Sequence, residues 1–142
     1  KGEIIISELN RLTKYIDVFQ KLDEYGHWKG QKQSLAQQKK KKFTMPALYY
    51  SKEVEFFIKE IYYIAENYPK YNLYNYQATL EKYGYQSLQD IDYTTANTEL
   101  ILAMFMTAVR ADRFAEGALL HHLNEGHIIK WLKRLKEIVE EK

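Results

Sequence analysis

The chain has 142 residues, 46% apolar and 28% charged, with 21 Lys and Arg against 19 Asp and Glu for a net charge of +2. That length supports one hydrophobic core and is marginal for two domains, and so small a net charge does not mark a polyanion-binding protein. Cysteine is absent, which excludes disulfides, thiolate chemistry and cysteine-based zinc sites.

From the N-terminus, Ser7 is placed to cap a helix reaching about Asp23, with Leu9, Leu12, Ile16 and Phe19 at helical spacing on a buried face. Gly26 lies just past this pattern, where a helix stop is expected. Residues 27–46 lack periodicity and hold Gly30, a glutamine-rich stretch and Lys39, Lys40, Lys41 and Lys42, and they read as a long exposed loop. Ser51 caps a second helix, whose stripe Val54, Phe57, Ile58, Ile61 and Ala65 ends before Pro69. A short third helix is predicted over Asn75–Tyr83, stopped at Gly84, and Tyr85–Tyr93 reads as connecting chain.

Thr95 or Asn97 then caps a segment, Leu100 to Val109, that is apolar nearly all round. Little of it is β-branched, so it reads as a central helix covered on several sides rather than a strand. Its length is too short to span a bilayer as a helix. Phe114–Glu125 is predicted to form a helix with Phe114, Ala118, Leu119 and Leu123 turned inward, broken at Gly126. A last amphipathic helix follows over His127–Glu141, with Lys130, Lys133, Arg134 and Lys136 outside. The sum is an all-α, single compact domain over 1–142, with five or six helices around an apolar central helix at about 97–110. Thirteen tyrosines and 15% aromatic residues suggest a tyrosine-rich core periphery, or a surface used for binding.

The segment Arg110-Ala111-Asp112-Arg113-Phe114-Ala115-Glu116-Gly117, then Leu123-Asn124-Glu125-Gly126-His127-Ile128-Ile129 and Leu132-Lys133-Arg134-Leu135, resembles an uncharacterised bacterial family, domain of unknown function 6508. That family's pattern reads R-G-E-R-F, a glycine, a D/N-x-G-x-[IL] turn and a closing L-x-R-L helix. Arg110, Arg113, Phe114, Gly117 and Gly126 match it. Ala111 stands for the family's glycine and Asp112 for its glutamate. Tyr50 to Ile58 and Tyr74-Asn75-Tyr76 are also similar, with Asn75 where the family carries aspartate. The resemblance runs from Leu48 onward and implies a helical fold but no activity.

Two readings of the Arg110–Gly117 corner follow. In the structural one, Arg110, Arg113, Asp112 and Glu116 form an ion-pair and backbone network between helices. In the functional one, Arg110 and Arg113 present an anion site for a phosphate or a partner's carboxylate. No HExxH, carboxylate cluster, phosphate loop or nucleophile elbow is present, so no metal, cofactor or catalytic residue is expected. The preferred function is a non-catalytic helical module that binds another macromolecule, with protein favoured. One alternative is nucleic-acid binding through Lys39, Lys40, Lys41 and Lys42 with Lys130, Lys133 and Arg134. Another is a hydrolase or nuclease using Arg113, Glu116 and His121 or His122. No secretory segment is read, and a cytoplasmic location without membrane partners is expected.

Overall fold

A computed structural model describes residues 2–29 and 47–141, with side chains from Glu8 onward in the first stretch. The chain opens with α1 (Gly2–Thr13) and α2 (Tyr15–Gln20), one helical run interrupted only at Lys14. Ser7 therefore lies inside α1 and is not its cap. Leu9, Leu12, Tyr15, Ile16 and Phe19 are buried at the expected spacing.

Two short strands follow, β1 (Gly26–Lys29) and β2 (Ala47–Tyr50), paired antiparallel with Gly26 opposite Tyr50 and Trp28 opposite Leu48. The loop expected over 27–46 is thus a strand at its start. Its remainder, including Lys39, Lys40, Lys41 and Lys42, lies outside the described residues. Gly26 serves the pairing itself: a Cβ there would stand 2.9 Å from the Tyr49 carbonyl oxygen. That is closer than van der Waals contact permits, so the glycine read as a helix stop instead admits the second strand.

Helix α3 (Lys52–Asn67) begins where the Ser51 hydroxyl accepts from Val54 N. It buries Val54, Phe57, Ile61, Ile64 and Ala65. After two single 3-10 turns comes α4 (Tyr76–Lys82), and after two more comes α5 (Thr98–Arg110), capped by Asn97 accepting from Leu100 N. Every residue of α5 from Leu100 to Val109 is buried except Thr107. It touches α3, α4, α6 (Ala118–Asn124) and α7 (His127–Glu140), the central position expected of it.

Residue 114 departs from expectation. Helix α6 starts only at Ala118, a single 3-10 turn occupies Ala111–Arg113, and Phe114 is 81% exposed rather than turned inward. Apolar periodicity could not detect this, because the helix pattern of Ala118, Leu119 and Leu123 extrapolates smoothly back to Phe114.

An edge-to-face series of rings joins the layers. Phe57 meets Phe19 at 5.2 Å and Phe105 at 5.8 Å between centroids, and Phe105 meets Trp131 at 5.9 Å. These geometries match the aromatic quadrupole preference, and the three phenylalanines are essentially fully buried. The domain is predominantly helical, and no helix among the described residues is long and apolar enough to cross a membrane.

One polar group sits against this logic. The Glu8 carboxylate is completely buried, with Lys70 Nζ 3.5 Å from Oε1. The Tyr71 hydroxyl faces the same carboxylate, but among the described residues neither Glu8 oxygen nor that hydroxyl makes a well-aligned hydrogen bond. Burial raises the carboxyl pKa, opposed by Lys70 and then Tyr71. A buried carboxylate with incomplete partners is commonly less stable than an apolar side chain of similar volume. Glu8→Leu should therefore raise stability at neutral pH by about 1–3 kcal/mol, read as a higher denaturant midpoint at unchanged slope.

Candidate functional site

Two regions gather chemically active side chains. The first is the corner between α5 and α6. Side chains alternate along β1 and β2, so Trp28, Leu48 and Tyr50 share one face. Tyr50 uses it to donate its hydroxyl hydrogen to Asp112 Oδ2. The other carboxylate oxygen, Oδ1, accepts from Leu119 N at 2.9 Å. Asp112 thereby satisfies one of the free amides in the first turn of α6 and ties that helix to the hairpin. Burial first, then the Asp112 hydrogen bond and charge, push the Tyr50 phenol far above its ordinary pKa, so it remains a donor.

Trp28 packs on the same corner, where a Cβ on Gly117 would meet its ring at 3.0 Å. Gly117 also has φ +97°, a conformation that side chains rarely adopt.

The arginines take no part in this network. Among the described residues, neither Arg110 nor Arg113 forms an ion pair or side-chain hydrogen bond. Asp112 bonds elsewhere, and Glu116 is exposed. The Arg110 guanidinium lies 6.0 Å from the Tyr76 ring centroid, a distant cation–π contact, and Arg113 is exposed beside Phe114. The corner is held by Asp112, one of the two acidic residues the arginines were expected to engage.

The second region lies at the far end of α6. His122 near its end and His127 at the start of α7 are brought together by the turn through Gly126, with their Nδ1 atoms 2.9 Å apart. One must donate from Nδ1 and the other accept there, so the accepting ring carries no proton on that nitrogen. His127 stacks on Trp131 at 6.3 Å and 22°, while His122 meets the same indole at 5.6 Å. His121 stands 5.9 Å and 6.0 Å from the two rings but is exposed. Among the described residues, no group of three or more metal-ligating side chains is placed to hold an ion.

His122, His127 and Trp131, but not His121, line a cavity of about 330 Å³. Leu88, Ile91, Tyr93 and Trp131 supply apolar and aromatic wall, and His122, His127 and Lys130 supply polar groups. A second hollow of about 200 Å³ adjoins it, sharing Tyr93 and Lys130 and adding Lys133, Arg134 and Glu137. Arg134 is committed there, donating from Nε to the Ala96 carbonyl at 2.9 Å and pairing with Glu137 at 3.3 Å. Lys130 and Lys133 have no ion pair among the described residues.

Thus Lys130, Lys133 and Arg134 border one pair of hollows, joined there by His122, His127 and Trp131. Arg113 and Glu116 line neither hollow and share no hydrogen bond with His121 or His122 among the described residues. The spacing of His122 and His127 across Gly126 is visible in the sequence but is as compatible with chance as with a site, and Trp131 one helical turn later carries no signal of its own.

The architecture defines a helical domain carrying a small β-hairpin, with a polar corner at one end of α6 and an aromatic–histidine cleft at the other. The chain belongs to the family of unknown function DUF6508, which it matches over residues 6–141. The match reaches well before Leu48, so α1 and α2 are part of the family's domain. No curated protein and no solved structure matches the chain.

Two measurements test these assignments. Asp112→Ala leaves the Tyr50 hydroxyl and Leu119 N without their acceptor and should cost about 2–3 kcal/mol, while Arg110→Ala and Arg113→Ala should each change stability by under about 0.5 kcal/mol. Equal losses for all three would instead place the arginines in the network.

The second concerns His122, whose pKa lies below its ordinary 6.5, first through burial and then through repulsion by His127 and His121. Its contribution to stability is complete above the unfolded value and is lost as pH falls through the folded one, because the unfolded chain takes the proton more readily. The thermal midpoint of the wild type should fall relative to His122→Gln as pH drops below about 6.5. Glu8, with its raised pKa, acts in the opposite sense at more acid pH, so the difference between the two proteins is the quantity to follow.

Proposed function

We propose that this domain is a non-catalytic recognition module that docks onto another protein through the corner formed by the hairpin and residues 111–117. The observation that carries the reading is Phe114, 81% exposed on a turn whose first part is fixed at Asp112 by two hydrogen bonds. A phenylalanine in water adds little to folding, whereas a pre-positioned ring loses little freedom on binding. Trp28, 47% exposed, lies against Gly117 of the same turn, and Arg113 precedes Phe114. Tryptophan, phenylalanine and arginine are the side chains enriched at the energetic centres of protein interfaces.

The partner chemistry that fits is an apolar pocket rimmed by carboxylates, which would receive the Phe114 ring and pair with Arg113. A cytoplasmic location belongs to this reading and is supported by the cysteine-free composition.

A benzophenone side chain in place of Phe114 should crosslink, on irradiation in cells of the source organism, to one protein. That crosslink should disappear when Trp28→Ala or Arg113→Glu is added to the folded probe. With the partner purified, Phe114→Ala should weaken binding by at least about 30-fold. Recovery of only a second copy of this chain, of nothing, or of a protein indifferent to both added substitutions overturns the proposal.

A further inference from the structure

We infer that the paired hollows beside α7 form a binding site for a nucleoside monophosphate, with the base in the His122–Trp131 cavity and the phosphate at Lys130 and Lys133. This site is separate from the Phe114 corner and does not depend on its reading.

The larger hollow has the walls a flat heteroaromatic ring requires. Leu88 and Ile91 are aliphatic, Tyr93 and Trp131 are aromatic, and the volume is about 330 Å³. Stacking on such walls is sequence-tolerant and contributes substantially per base. What separates a nucleobase from a plain hydrocarbon ring is its edge, which carries adjacent hydrogen-bond donors and acceptors.

The histidine pair offers the complement. When both rings are neutral and Nδ1 of one donates to Nδ1 of the other, the donor ring has a bare Nε2 and the acceptor ring an Nε2–H. The mutual bond thus fixes opposite tautomers, leaving one acceptor and one donor from the two rings that line the cavity. The desolvation that lowers the His122 pKa favours this neutral arrangement.

The smaller hollow supplies charge. Arg134 and Glu137 neutralise one another, and Arg134 is further held by Ala96. Lys130 and Lys133 remain, three residues apart on one side of α7. Lys130 also borders the larger hollow, so base and phosphate compartments meet at a residue common to both. An isolated aromatic pocket would suit many ligands. Joined to two uncompensated ammonium groups, it selects a ring bearing a dianion.

The same chemistry comes from two sources, a free nucleotide or the phosphorylated end of a single strand. Emission from Trp131, isolated in a Trp28→Phe background, reads occupancy directly. Titration with AMP, GMP, CMP and UMP should give saturable quenching by at least one of them below about 1 mM, and inorganic phosphate should compete only weakly. The combined Lys130→Ala and Lys133→Ala substitutions, both at exposed positions, should weaken binding about tenfold or more and reduce its salt dependence. Leu88→Phe narrows the apolar compartment from a partly exposed position without adding a second tryptophan and should abolish quenching with the helical circular dichroism intact.

A 5′-phosphorylated trinucleotide that binds at least tenfold more tightly than the monophosphate assigns the site to strand ends; equal or weaker binding assigns it to the free nucleotide. Absence of saturable quenching by all four nucleotides and the trinucleotide overturns the inference. So does quenching that survives Leu88→Phe, or that is unchanged by loss of both lysines.

Discussion

The edge-to-face contact between Phe57 and Phe105 is the interaction on which the rest of the structure depends. Phe57 lies on α3 and Phe105 at the middle of α5, and each passes the contact onward, to Phe19 on α2 and to Trp131 on α7. Four helices are thereby registered by four rings. The series constrains angles as well as distances, because the ring faces and edges differ in charge. Its last member has two duties. Trp131 closes the core against Phe105 and is also wall of the cleft, where His127 stacks on it. The floor of the cleft is consequently part of the core itself.

A second constraint is set by a single carboxylate. Asp112 accepts from a tyrosine of the hairpin and from an amide at the start of α6, so the chain cannot run on from α5 as a continuous helix. It turns through Ala111–Arg113, and Gly117, with its left-handed conformation, leads into the next helix. The shape of this corner puts Phe114 into solvent. The family segment around Arg110–Gly117 thus contains one residue that holds the turn, Asp112, and one glycine that permits both the turn and the approach of Trp28. Its arginines are left free of ion pairs among the described residues.

Much of the fold was legible because it rests on local signals. Ser51 and Asn97 cap the helices they were expected to cap, Gly84 ends the short helix before it, and the uniform apolarity of Leu100–Val109 marked the central helix. What was not legible depends on partners distant in sequence. The strands contribute four residues each, and nothing in Gly26–Lys29 indicates that Ala47–Tyr50 lies beside it. Phe114 carries the same hydrophobic label whether it faces core or water, and only the Asp112 bonds decide between them. Spacing suggested Arg110 and Arg113 with Asp112 and Glu116, yet Asp112 is engaged by a tyrosine sixty-two positions away. The histidines were visible as residues, but their mutual bond requires the turn at Gly126 to be closed.

The two candidate sites share a support without sharing a residue. Helix α6 spans Ala118–Asn124, with Asp112 bound near its start and His122 near its end. A helix this short is marginal by itself. It holds because Leu119 and Leu123 are buried against the core and because each end is tied to another element. Tying both ends fixes the position of the corner turn and of the histidine pair relative to α5 and α7. Substitutions at Trp28, Arg113 or Phe114 change what the corner offers a partner while leaving the contacts of His122, His127 and Trp131 in place. Lys130 and Lys133 do the converse. The physical separation along α6 makes the Phe114 corner and the His122–Trp131 cleft independent features of one small domain.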